Sequence, residues 1–130
     1  MAYPPARVPT QQVVSFLRKS FVFGDSGSVL VLGTIPAGAL ILKPMSGVMV
    51  TTVFNAGSTN VLDIGTTADD DLFGTDLALG TAAFVPLDEA IGGYLVTSDT
   101  TLTATPSLSG TAATTGAGEI VICYLADLDG

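Results

Sequence analysis

Apolar residues recur along this chain in short runs broken by clusters of Gly, Pro, Ser, Thr and Asp, and no stretch shows the capped 3.6-residue stripe of an amphipathic helix. The clearest alternation lies in residues 59–64, where Val61 and Asp63 fall on one face of an extended chain and Leu62 and Ile64 on the other. Further strands are expected at 28–34, a β-branched run suited to burial on both faces, and at 39–43, 47–54, 81–87, 90–97, 100–105 and 119–126. Residues 13–23 lead into the first of these, with Phe21 and Phe23 expected on one face. Gly24-Asp25-Ser26-Gly27 and Ile35-Pro36-Ala37-Gly38 are turn signals, and Asn55-Ala56-Gly57-Ser58 is a hairpin-like connection. Residues 65–80 form the main irregular stretch, with room for one helical turn over 70–79, and residues 107–118 form a Ser/Thr/Gly/Ala loop. Strands this short, separated by turns at this spacing, predict an all-β fold: an antiparallel β-sandwich or jelly roll of about eight strands, or a small barrel.

The first residues break the pattern. Pro4, Pro5 and Pro9 deny the start a helix or a central strand, so residues 1–15 are expected to form an extended N-terminal arm and residues 16–130 a single β-sandwich domain. A length of 130 residues suits one core. The start has no apolar run of the kind a signal peptide needs, and the long apolar stretch 29–54 is cut by Gly33, Pro36, Gly38, Pro44 and Gly47 into strand-length pieces, so no membrane partner is expected.

Charge refines this picture. The chain is 48% hydrophobic but only 12% charged, about half the charged fraction of an average soluble domain, so subunit contacts are expected to cover part of its surface. Up to Lys43 there are four cations and one anion; from Pro44 onward there are eleven acidic residues and no Lys or Arg. The leading segment is therefore expected to rest on acidic ground, with Arg7, Arg18, Lys19 and Phe16 as interaction residues. A net charge of −8 argues against nucleic acid as a partner.

Candidate chemistry is sparse. Asp69-Asp70-Asp71 with Asp76 offers oxygens suited to Ca²⁺, but the spacing departs from the EF-hand pattern and a solvated acidic loop is the expected reading. Asp88 and Glu89 are adjacent, so an extended chain points them to opposite faces and not across a scissile bond. There is no His to serve as a base or zinc ligand, and no nucleophile elbow, phosphate loop or dinucleotide fingerprint. Cys123, alone in the run 120–124, is expected to be a small buried hydrophobe. Neither an enzyme nor a cofactor is expected.

Four segments carry a resemblance. Gly33-Thr34-Ile35-Pro36-Ala37-Gly38-Ala39, then Val48-Met49-Val50-Thr51-Thr52-Val53-Phe54-Asn55, then Leu62-Asp63-Ile64-Gly65-Thr66-Thr67-Ala68-Asp69, with Gly118-Glu119-Ile120-Val121-Ile122 near the end, resemble small virion proteins of tailed bacteriophages, of the capsid decoration or cement type. The likeness spans about residues 30–127 and leaves the arm uncovered. It implies a β-sandwich made in the host cytoplasm, seated on the outer surface of the capsid, commonly as a homotrimer bound to the major capsid protein, with no catalytic residues. The alternative is a head fibre or tail component whose loops bind a receptor.

Overall fold

The computed structural model describes residues 14–89 and 94–126. Ten strands make two antiparallel sheets packed as a β-sandwich: β1 (Ser15–Val22), β2 (Leu30–Ile35), β3 (Leu40–Ile41), β4 (Gly47–Thr52), β5 (Thr59–Thr66), β6 (Gly74–Ala78), β7 (Phe84–Pro86), β8 (Tyr94–Leu95), β9 (Thr100–Ser109) and β10 (Ala117–Leu125). Sheet B runs β2-β9-β5-β6. Sheet A is organised on β10. One edge of β10 pairs with all of β1, from Ser15 opposite Tyr124 to Val22 opposite Ala117. Its other edge pairs first with β4 and then with β3, and these carry β7 and β8 beyond them.

The alternation expected in β5 is present: Leu62 and Ile64 are fully buried while Val61 and Asp63 are half-buried. They meet Leu102, Ala104, Leu32 and Ile35 from their own sheet and Ile41, Val48, Val50, Ile120 and Ile122 from sheet A in one continuous core. Phe21 and Phe54 stack in this core at a centroid distance of 5.3 Å, and Phe73 meets Tyr94 edge-on at 5.0 Å, both favoured aromatic geometries. Where the edges β1 and β2 face each other, Leu17 lies over Gly33, whose missing Cβ would stand 2.9 Å from a Leu17 methyl.

Several expectations are corrected. Phe23 does not share a face with Phe21: the Asp25 carboxylate accepts the Val22 N–H at 2.8 Å, the chain turns at residues 23–25, and Phe23 is exposed while Phe21 is buried. β2 is an edge strand with Val31 exposed, not a strand buried on both faces. The connection 55–58 is no hairpin, because β4 belongs to sheet A and β5 to sheet B. The irregular stretch 65–80 contains a strand, β6, and no helical turn. β9 extends to Ser109, which shortens the loop before β10. The expected arm boundary at residue 15 falls on the first residue of β1, and residues 1–13 lie outside the described residues.

Candidate assembly surface

The two sheets present opposite chemistry to the outside. Sheet B's outward positions carry mainly short hydroxyls, Thr101, Thr105, Ser107 and Ser109 along β9 and Thr34 beside them, the hydroxyls of Thr34 and Thr101 lying 3.0 Å apart, with Thr103 buried and Val31 the exposed apolar exception. Sheet A's outward positions are mostly apolar, interrupted by Arg18, Ser20 and Glu119. Register places Phe16 beside Cys123; Ser20, Glu119, Met49 and Phe84 in one row; and Leu125, Leu40 and Leu95 in another. Phe16 is 56% exposed, Leu95 60% and Met49 44%, and Met45 in the turn beside Cys123 is exposed as well.

A sheet with one solvated face alternates apolar and polar residues. β4 and β10 instead read Val48-Met49-Val50 and Ile120-Val121-Ile122, apolar at both parities. That continuity was the available sequence signal for an apolar outer face on these two strands, whereas Phe84, Leu40 and Leu95 join it only through strand register.

Of the expected interaction residues, β1 gathers three. Phe16 and Arg18 lie on sheet A's outward face and Lys19 is exposed on the same edge strand, while Arg7 lies outside the described residues. Arg18 is ion-paired with Glu119 on β10, its Nε donating to Oε1 at 2.9 Å. The strands of sheet A carry no other charge than Arg18, Lys19 and Glu119, whereas those of sheet B carry only Asp63 and Asp76. Cys123 is half-buried on the outward side, contrary to expectation, with its thiol near the Met45 carbonyl; burial pushes that thiol up from its ordinary value.

The Asp69–Asp71 turn lies over sheet B. Thr66 N–H donates to the Asp69 carbonyl at 2.8 Å, and Gly65 passes so close beneath that an added Cβ would collide with the Asp69 and Asp70 backbone. A shallow groove of about 380 Å³ runs between this turn, Val29, Thr103 and Thr105. The three carboxylates each bring an oxygen within 4.8 Å of the others. A hydrogen bond donated by the protonated Asp71 carboxyl to Asp69, partial desolvation and the neighbouring charges raise Asp71 above its ordinary value. Asp76, expected with them, is instead held at the start of β6 by its N–H bonding to Asp63.

Neither protein-family models nor curated proteins match the chain. Two solved structures are similar to it. A chain of the cyanophage Pam1 capsid asymmetric unit aligns with a TM-score of 0.69 at 16% identity, covering 98% of this chain and 94% of that one. A chain of the acidic stable capsid structure of Helicobacter pylori bacteriophage KHP30 aligns with a TM-score of 0.64 at 19% identity, covering 88% of each. At these identities the likeness establishes a shared fold.

Proposed function

We propose that this protein is a capsid decoration, or cement, protein of a tailed bacteriophage, seated on the outer surface of the head and bridging major capsid subunits, commonly as a homotrimer. The observation that carries the reading is the full-length fit to two chains from phage capsids, each of nearly the same size as this one. A chain this small is filled by its single sandwich core, so its contribution to a shell is made through its surface. Its action is mechanical: area buried against neighbours raises the free energy needed to separate them, and specific contacts need roughly 1,000 Å² or more of total buried area. The apolar outward face of sheet A is the described surface suited to that demand. In the reading's terms, residues 1–15 are an arm and Arg7, Arg18, Lys19 and Phe16 its contact residues.

The test is an image reconstruction of particles containing the protein. Density for the sandwich recurring across the head at shell-subunit junctions is the expected result. Density at a single vertex or along the tail would instead assign it to a fibre or tail component.

A further inference from the structure

We infer that the outward face of sheet A is where copies of this protein bind one another. The inference deepens the assembly role proposed above, but it concerns the isolated chain, so the two can fail separately.

The face needs a cover: exposed apolar residues, Phe16 on β1, Met49 on β4, Phe84 on β7 and Leu125, Leu40 and Leu95 on β10, β3 and β8, are spread across it with only Arg18, Ser20 and Glu119 as polar interruptions near its middle. Contiguous apolar patches of this extent mark interaction sites. Charge selects the occupant. The protein carries −8 in all, and among the described residues every carboxylate but Glu119 stands in sheet B, in the 69–71 turn or in the other turns and loops. Two copies approaching through those surfaces repel each other. The strands of sheet A are the exception, with two cations to one anion, and the two charges on the face itself, Arg18 and Glu119, already neutralise each other. Two such faces can be desolvated together without leaving a buried charge unpaired, the condition that otherwise makes charged interfaces costly. Size is compatible. Up to four strands at about 4.8 Å, along at most the nine residues of β10 at about 3.3 Å each, bound the plane at roughly 20 by 30 Å before side-chain relief is counted, somewhat under the roughly 800 Å² per partner of a standard interface.

Sedimentation equilibrium on the full chain at micromolar concentration tests this, comparing wild type with the double variant Phe16→Lys, Met49→Lys and with Val31→Lys, an equally exposed apolar position on sheet B. All three substituted side chains are exposed, and far-ultraviolet circular dichroism with a thermal melt verifies that each variant folds. Wild type and Val31→Lys should associate alike, and the double variant should associate at least about 100-fold more weakly, because each lysine must be desolvated at the contact. Association unaffected by the double variant, or lost equally in Val31→Lys, overturns the inference. So does a monomeric wild type. If that monomer decorates particles and its double variant does not, the face belongs to the shell, and the cement reading survives while this one fails.

Discussion

Ser46 occupies the point where β10 changes partners from β4 to β3. Its hydroxyl donates to the Leu42 carbonyl at 2.7 Å and accepts the Cys123 N–H at 2.9 Å, so a side chain completes the ladder where no strand is present. It is fully buried. Ser46→Ala should therefore cost about 1–3 kcal/mol, the penalty of an orphaned buried N–H, read as a lower urea midpoint with an unchanged slope. Gly65 is sensitive for a different reason: a methyl group there meets the backbone of the Asp69 turn, which has no flexible end to move aside. Gly65→Ala should destabilise by about 1–3 kcal/mol, as overpacking does, in the same urea titration. Asp71 acts in the opposite direction. Its raised carboxyl pKa means that the folded state holds the proton more tightly than the unfolded one, so its contribution is favourable below the unfolded pKa and is lost as pH rises through the folded one. At neutral pH the ionised group is a net cost. Asp71→Asn should raise the melting temperature at neutral pH, with the gain shrinking in acid; equal gains at both pH values would mean that titration has no part in it.

Among the described strands, β1 pairs on one edge only, with β10. Backbone groups of an antiparallel edge strand alternate between the ladder and the outside, so amide hydrogen exchange along Ser15–Val22 should alternate between slow and fast. Uniformly slow exchange would show a further strand on that edge. Arg18 and Lys19 in the middle of β1 suit an open edge, since charge there discourages edge-to-edge pairing. The sequence revealed those elements whose periodicity is undisturbed. β5 and β10 lie close to their expected positions, and the turns at residues 24–27 and 36–38 do too. β6 was hidden because Gly74-Thr75-Asp76 reads as loop; it exists through its pairing with β5 and the burial of Leu77, with the Asp63 and Asp88 carboxylates accepting the Asp76 and Thr75 N–H groups at its irregular start. β3 and β8 have two residues each, too few for any period, and exist through their pairing with β10 and with each other. Of the outward face of sheet A, the expected interaction residues include Phe16 and Arg18, but the rows contributed by β4, β7, β3 and β8 depend on register across strands distant in sequence, which periodicity within one segment cannot show.

For the whole molecule the dominant long-range term is the charge of −8. Copies that meet through sheet A still carry their acidic loops toward one another at longer range. Added salt shortens the reach of that repulsion from about 30 Å at 0.01 M to about 3 Å at 1 M. Self-association should therefore tighten as sodium chloride is raised, a trend that sedimentation at several salt concentrations resolves; weakening with salt would indicate a contact built on opposite charges instead. The position of β10 bears on how such a molecule is made. Among the described strands it comes last in sequence order, yet it is the one to which β1 pairs and to which β3 and β4 each give one edge. While the ribosome is still short of residue 117, the opening strand has nothing to dock against, and the pairing of Ser15 with Tyr124 must close across almost the whole chain, a connectivity that makes folding slow. A nascent or prematurely ended polypeptide thus has no finished sheet A and no surface with which to join its siblings. If copies join through sheet A as inferred above, their joining waits on translation having passed through β10.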